Sequence, residues 1–516
     1  MRIYEDPQAT SKNRLAPRDY YIPIGRSEYK PLNGQWNFAY FERDIDVPEK
    51  TEKWDTAYVP SCWQSAGYGE PNYTNQCYPY PCDPPYVPDD NPCGVYEREF
   101  TIDKLWGRVY FVFEGVCSCA FLYINGREVG FTQGSHLQAE FDITDYVKRG
   151  VNTVRVKVLK WCCGSYLEDQ DMFRFNGIFR DCYILIRPQE HIRNIYVKTE
   201  NNRVLVFADR AADITLYDAE GRLIGIEKNT KNAEFEVEKP VFWNAEKPYL
   251  YKVRAERNGE IISINTAFRT IEIDSEYALR INGVRVKLHG VNHHDTHPSN
   301  GWCMTNGELR RDLELMKKLN INCIRTSHYP PAPAFLEMCD EIGFYVVLET
   351  DIETHGIGQR RVGVGYDSDN PVWPCSNPDW KKEFIERMQR TALRDRNHPS
   401  IIMWSLGNES GFGDNHKAMS DWVRQQRDGR LIHCEDASRK SVDYNHPELT
   451  EYTDVFSWMY PLHSAVKAYA EDKEKKQPYF MCEYAHSMGN SPGSVWEYSE
   501  LVDKFPKLIG GCIWEW

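Results

Sequence analysis

Two all-β units followed by a (β/α)8 barrel are the architecture that this 516-residue sequence predicts. Three observations carry that expectation. Short alternating runs sit among frequent turns before residue 190; the same alternation continues to about 272; from there the period changes to apolar strands separated by helical patterns. At roughly 150 residues per domain, the length also suits about three domains.

Residues 1–188 form the first unit. Aromatic residues make up 13% of the chain, and many fall in this part among Pro- and Gly-rich turns. Runs such as Val109-Tyr-Phe-Val-Phe and Val154-Arg-Val-Lys-Val carry the period of a strand, which predicts a β-sandwich. The aromatics read first as sandwich core, and second as platforms on which a sugar ring stacks. Residues 189–272 repeat the alternation over 195–199, 203–207, 214–217, 233–237 and 250–254. Glu220-Gly221 and Asn258-Gly259 mark turns between these runs, which suits one small immunoglobulin-like sandwich.

Residues 273–516 form the third unit. Strand-like runs cover 287–291, 323–327, 344–348, 401–406, 431–434, 455–459, 479–482 and 508–514. Helical patterns cover 306–319, 332–342, 378–395, 414–427, 463–472 and 494–504, and the connection between the fifth and sixth strands reads as irregular. Eight strands with helix-sized connections are the count of a TIM barrel. The sequence stops at Trp516, on the eighth strand, so the barrel is expected to lack its last helix and the chain to be a piece of a longer one.

Composition excludes several function classes. With 62 Lys and Arg against 76 Asp and Glu, the net charge is −14, which gives no general attraction to nucleic acid or an anionic membrane. The longest apolar stretch, 110–124, contains Glu114 and is shorter than the ~20 residues a membrane helix needs. The N-terminus shows no secretory apolar region. Sixteen cysteines occur without any C-x-x-C pair, so they read as reduced thiols, several buried in strands, in a cytoplasmic protein.

The strand ends hold the chemistry, because barrel sites form at the C-terminal face. In order they read Asn292-His-His-Asp295, Arg325-Thr-Ser-His-Tyr-Pro330, Glu349-Thr-Asp-Ile-Glu-Thr-His-Gly356, Gly407-Asn-Glu-Ser-Gly411, Met459-Tyr460, Glu483-Tyr-Ala-His486 and Trp514-Glu-Trp516. Any one of these is consistent with a satisfied structural polar group, but seven on one face point to a site. Glu409 and Glu483, on strands four and seven, would face each other across the mouth. Retaining glycoside hydrolysis needs such a pair, one carboxyl protonating the leaving oxygen and the other attacking the anomeric carbon.

The segments Trp404-Ser-Leu-Gly-Asn-Glu-Ser-Gly and Cys482-Glu-Tyr-Ala-His-Ser-Met-Gly-Asn-Ser resemble the two signatures of family 2 glycoside hydrolases, in the wording of the bacterial β-galactosidases. The similarity runs from Pro31-Leu-Asn-Gly-Gln-Trp to the last residue. It implies a multidomain β plus α/β protein: a jelly-roll sandwich, an immunoglobulin-like domain and the TIM barrel. It also implies Glu409 as acid/base and Glu483 as nucleophile, Asn408 on the sugar 2-hydroxyl, and Tyr460 beside the nucleophile. His294 and His328 would meet galactosyl hydroxyls, His486 the region of the 6-hydroxyl, and Trp514 would be the floor under the ring.

Arg325 would orient Glu483, although a purely structural ion pair is an equal reading. The resemblance further implies magnesium on Glu353, His355 and Glu409, tuning Glu409 rather than acting as a Lewis acid. From the first domain, Asn75 would line the outer site and Asp171 would hold sodium and the 6-hydroxyl. The family's other sodium ligands fall beyond Trp516. By composition alone, Glu168, Asp169 and Asp171 form a solvated acidic turn. The implied partner is a β-galactoside such as lactose, and the full-length form would be a homo-oligomer.

Three alternatives compete with this reading. β-Glucuronidase and β-mannosidase share both glutamates, but Asn-Glu-Ser in place of Asn-Glu-Pro and the Tyr-Ala-His after Glu483 disfavour them. A metal-dependent amidohydrolase would want His-x-His after strand one, where this chain has His293-His-Asp-Thr-His297. An inert carbohydrate-binding fragment is disfavoured by the presence of both glutamates, while the missing last helix keeps that alternative open.

Overall fold

The computed structural model describes residues 2–359, 363, 365–487, 489–490 and 493–516. In the first unit a seven-stranded and a four-stranded antiparallel sheet enclose one core. Trp36, Phe38, Leu122 and Val156 face Phe111, Phe141 and Ile184 across it. The strand Gly150–Leu159 shows the expected alternation, with Val154, Val156 and Val158 buried and Arg155 and Lys157 half-buried between them. Arg108–Phe113 departs from it and is buried on both faces past its first residue. Leu15 and Ile22 of the N-terminal segment pack over its outer side, against Tyr110 and Val112.

In the second unit the long strand Arg203–Tyr217 pairs with Ile195–Glu200 at its start and Tyr251–Arg257 at its end. An irregularity between Phe207 and Ala212 lets one strand serve both. Asn258 and Gly259 take φ of 52° and 79°, the paired positive values of a tight hairpin turn. Ile24–Gly25 joins the edge of this sheet by pairing with Glu260 and Ile261, so the N-terminal segment belongs partly to the second unit.

The barrel strands are β1 (Leu288–Asn292), β2 (Cys323–Arg325), β3 (Tyr345–Glu349), β4 (Ile401–Ser405), β5 (Leu431–His433), β6 (Phe456–Met459), β7 (Tyr479–Tyr484) and β8 (Leu508–Ile513). They run parallel in the order β5-β4-β3-β2-β1-β8-β7-β6. The remaining seam, β5 to β6, is closed by other bonds. Asp454 donates its backbone N–H to the Ile432 carbonyl at 2.9 Å and accepts the Ile432 N–H on its carboxylate at 2.7 Å. His433 and Ser457 then bond side chain to side chain across the seam at 2.8 Å. A small sheet, Ile271–Ile273, Leu279–Ile281 and Val284–Arg285, packs Leu279 and Ile281 against barrel residues Leu288, Cys323 and Ile509. Its strands, two or three residues long, are too short to show a period in the sequence.

The helices are α1 (Asn306–Lys318), α2 (Pro333–Ile342), α3 (Lys381–Asp395), α4 (Asp414–Gln426), α5 (Glu435–Asp443), α6 (His463–Glu471) and α7 (Val495–Lys504). Thr305 and Glu308 cap α1 reciprocally, Thr305 Oγ1 accepting the Glu308 N–H at 3.3 Å and Glu308 Oε2 the Thr305 N–H at 2.8 Å. Helix α5 corrects the expected irregular connection. Its sequence, Glu-Asp-Ala-Ser-Arg-Lys-Ser-Val-Asp, has too few apolar residues to show a period.

Candidate active site

Arg325, at the end of β2 and fully buried, is the hub of the barrel mouth. Its guanidinium reaches four partners. Nε and Nη2 grip Glu349 at 2.8 and 2.9 Å, Nη1 donates to Glu483 Oε1 at 2.8 Å and Asn292 Oδ1 at 3.0 Å, and Nη2 also donates to Asn408 Oδ1 at 2.8 Å. Burial disfavours the cation, but the charges of Glu349 and Glu483 more than offset this and hold the Arg325 pKa well above its usual value. Burial likewise opposes the Glu349 carboxylate, and Arg325 with His328 holds its pKa far below the usual range. The two earlier readings of Arg325 merge, since it orients Glu483 through the same ion pairs that neutralise this buried site.

Glu483 lies on β7. Besides the Arg325 bond, its Oε2 accepts the Tyr460 hydroxyl at 2.6 Å. Tyr460 follows β6 with φ of 49°, a left-handed turn that directs the chain away from the strand end. Burial and the neighbouring Glu483 charge push the Tyr460 pKa up, so the phenol stays protonated and donates. His328 donates Nδ1–H to Glu349 at 2.6 Å, leaving Nε2 3.8 Å from Glu483 Oε1. Burial and Arg325 lower its pKa, which keeps the ring neutral.

After β4, Gly407 and Glu409 take φ of 141° and 37°, a strained turn that presents Asn408 and Glu409 in succession. Asn408 accepts from Arg325 and donates to Glu353 Oε2 at 2.9 Å. Glu409 Oε2 accepts from His355 Nδ1 at 2.8 Å. Burial opposes the Glu409 charge, but the His355 bond and charge draw its pKa below the ordinary value. Burial also opposes the charge on His355, and Glu409 raises its pKa. Glu353 is pushed well up, first by burial and then by repulsion from Glu409. Ligand atoms of Glu353, His355 and Glu409 all lie within 4.8 Å of one another, and this is the one such group among the described residues. Two carboxylates and an imidazole, with Glu353 and Glu409 in mutual repulsion, are a donor set that a hard divalent cation would relieve.

Trp514 directly follows β8, beside the histidines. His328 stacks on its indole at 5.2 Å and 9°, while His294 stands edge-on to it at 5.4 Å and 89°. His294 in turn donates Nδ1–H to Glu515 at 2.6 Å. His486 is exposed, 5.8 Å from the Tyr460 ring and 6.3 Å from the Trp514 ring. It therefore sits at the rim, and no hydrogen bond is described for it. Asn75 and Asp171 from the first unit meet each other at 3.0 Å. Asn75 also reaches the Tyr73 hydroxyl at 3.5 Å, and the Tyr73 ring packs against Phe173 at 5.3 Å, so the pair sits among exposed aromatics of the first unit.

The acidic turn at 168–171 is a correction to the compositional reading. Glu168 and Asp169 are interior: Glu168 pairs with Arg387 at 2.8 Å, and Asp169 pairs with Arg174 and accepts the Gly356 N–H at 2.7 Å. Backbone bonds between Glu353 and both Leu167 and Asp169 tie this segment to the loop that carries His355. Glu349, Asn292, Glu515 and Asp169 thus belong to the site or its support, although the sequence reading gave them no role. The first three stood in the strand-end segments and could have been found there; Asp169 had no such signal.

Family models match nearly the whole chain. The sugar binding domain of glycosyl hydrolases family 2 matches 29–188, a second model described as glycosyl hydrolases family 2 matches 191–268, and that family's TIM barrel domain matches 271–516. A beta-galactosidase of Actinobacillus pleuropneumoniae is 37% identical over 99% of this chain and 55% of its own length. One of Staphylococcus xylosus is 38% identical over 100% of this chain and 54% of its own. The chain therefore spans about half the length of the curated relatives it matches. Among solved structures, Ruminococcus gnavus beta-glucuronidase superposes with a TM-score of 0.79 at 20% identity, covering 97% of this chain and 93% of that one, a likeness of fold. Three domain models in the family's order, on a barrel whose mouth holds both signature glutamates, establish that the chain belongs to glycosyl hydrolases family 2.

Proposed function

We propose that this chain carries the active site of a retaining β-galactosidase, acting on terminal β-galactosyl residues of lactose-like substrates. The observation that carries the reading is the pairing of Glu483, held between Arg325 and Tyr460, with Glu409 after Asn408 on another strand of the same mouth. Its support for galactose comes from the relatives named beta-galactosidase.

Glu483, with both oxygens fixed, attacks the anomeric carbon, while the proton that His355 shares with Glu409 passes through Glu409 to the departing oxygen. That step forms a galactosyl ester on Glu483 and releases the aglycone. Consuming the Glu483 charge makes it easier for Glu409 to stay ionised, so Glu409 next takes a proton from water. The resulting hydroxide equivalent attacks the anomeric carbon, and Glu483 leaves as carboxylate with Tyr460 donating to it. Asn408 holds the 2-hydroxyl, Trp514 lies under the ring, His294 and His328 meet its hydroxyls, and His486, Asn75 and Asp171 line the rim.

Glu353, His355 and Glu409 would hold magnesium, which when bound supplies positive charge beside Glu409. Sodium at Asp171 would need ligands outside these residues. A reducing, cytoplasmic setting is supported by sixteen free cysteines, most of them buried. No helix among the described residues is long and apolar enough to cross a membrane. The full-length enzyme is proposed to be a homo-oligomer.

The solved structures of like fold raise β-glucuronide cleavage as a second reading. The carboxylate of Glu515, bonded to His294 beside Trp514, disfavours a sugar that carries its own carboxylate. Hydrolysis of aryl β-galactoside, β-glucuronide and β-mannoside by this chain decides between them. Turnover of the galactoside, with the β-anomer formed first, supports the proposal; faster turnover of either other glycoside overturns it.

A further inference from the structure

The two histidines flanking Trp514 are built alike. Each gives its Nδ1–H to a carboxylate at 2.6 Å, His328 to Glu349 and His294 to Glu515. An ionised carboxylate only accepts, so each bond places a proton on Nδ1 and, in the neutral ring, leaves Nε2 bare. The His328 Nε2 lies 3.8 Å from Glu483. The His294 Nε2 is buried and has no hydrogen-bond partner among the described residues. The rings stand at 88° with centroids 5.7 Å apart, beside the face and edge of one indole. A buried nitrogen without a partner costs free energy unless a ligand satisfies it. The carboxylates differ in setting: Glu349 is fully buried and shared with Arg325, whereas the Glu515 side chain is 40% exposed and engages His294 alone among its described hydrogen bonds.

We propose that Glu515 is a positioning residue, which fixes His294 as the Nδ1–H tautomer so that its bare Nε2 accepts a hydrogen bond from one hydroxyl of the bound galactosyl ring. This rests on the galactosidase reading for the identity of the sugar, and on geometry alone for the tautomer. A sugar hydroxyl is both donor and acceptor, so an orienting carboxylate turns the histidine from an ambiguous contact into a directional one. Glu349 does the same for His328 while also balancing Arg325, so only Glu515 can be changed without disturbing the hub.

The test uses Glu515→Leu, Glu515→Gln, His294→Ala and the double variant Glu515→Leu/His294→Ala. With an aryl β-galactoside, Glu515→Leu should lose on the order of tenfold in kcat/KM, the scale of one hydrogen bond to an oriented group. Glu515→Gln, whose amide oxygen still accepts from Nδ1, should recover most of that loss. The double variant should be no worse than His294→Ala, because Glu515 acts only through that ring. Independently of any substrate, nitrogen NMR of histidine-labelled protein should find His294 with a protonated Nδ1 and an unprotonated Nε2, and Glu515→Leu should mix the tautomers. Losses that multiply in the double variant, or a His294 whose Nδ1 is the bare nitrogen, would overturn the proposal. If the galactoside is not the substrate, the NMR result still decides the tautomer, so failure of the activity reading and failure of this one remain distinct.

Discussion

Replacing Tyr460 by Phe deletes one hydroxyl and leaves the ring. The deleted group donates to Glu483 Oε2 at 2.6 Å, and Arg325 alone then holds that carboxylate. A hydrogen bond to a charged group contributes about 1.5–3 kcal/mol, or roughly 10- to 150-fold in a rate that depends on it. The sign depends on the half-reaction. In the first, Glu483 loses charge as it attacks, so losing a donor makes it a better nucleophile and offsets any loss of aim. In the second, Glu483 regains its charge as it departs, and the missing donor raises that barrier by the full amount. Tyr460→Phe should therefore slow release from the glycosyl-enzyme, lower kcat by one to two orders of magnitude and lower KM with it. With a dinitrophenyl β-galactoside, stopped flow should show a burst that approaches one dinitrophenolate per site, and methanol should accelerate turnover by intercepting the intermediate. A kcat within twofold of the parent, or a slow variant with no burst and no response to methanol, would refute this reasoning.

Further consequences can be measured separately. Glu409→Ala should cut hydrolysis of a galactoside with a poor leaving group by more than 10²-fold and of a dinitrophenyl galactoside far less, since the latter departs without a proton; added azide should restore turnover and yield β-galactosyl azide. Loss of both galactosides to the same extent would argue against an acid/base role. Magnesium should raise the thermal midpoint and shift the basic limb of the kcat/KM profile downward, since a cation beside Glu409 makes that acid give up its proton at lower pH, and His355→Ala should abolish both effects; calorimetry of magnesium binding checks the site without reference to turnover. In the interior of the first unit, burial and then Asp181 push the Glu114 carboxyl up from 4.5 to about 7. Its folded-state pKa is raised, so the folded state binds the extra proton between about pH 4.5 and 7 and loses stability as pH rises through that window, up to about 3 kcal/mol. Glu114→Gln should flatten the fall in melting midpoint between pH 5 and 8; an unchanged slope would remove Glu114 from this role.

The barrel was legible because its signals are local. A strand end such as Ser405-Leu-Gly-Asn-Glu shows the apolar run, the turn glycine and the two site residues within a few positions, so Glu409 and Glu483 could be named from strand position and chemistry, and Asn408 from the family resemblance of its segment. What the sequence concealed is who meets whom. Arg325 lies 158 positions from Glu483, and Asp169 lies 187 from Gly356, so the hub and the tie between the units exist only once the chain has folded. Composition misjudged Glu168 and Asp169 for the same reason, since their neutralising arginines, Arg387 and Arg174, are not marked as partners by any pattern. Arg108–Phe113 loses its expected exposed face to the N-terminal segment, and α5 escapes detection because a short polar helix held by its surroundings carries no period.

In the proposed reaction Glu483 forms a covalent bond to the sugar. A 2-deoxy-2-fluoro-galactosyl donor with a good leaving group forms the ester and hydrolyses it slowly, because the fluorine destabilises both oxocarbenium-like transition states while the leaving group restores the first. Incubation with this probe, proteolysis and mass spectrometry of the peptides should find one fluorogalactosyl group per chain, attached to Glu483, with labelling prevented by free galactose and absent in Glu483→Gln. Attachment to Glu409 or another residue, or turnover of the aryl galactoside by a chain that the probe never labels, would contradict the account.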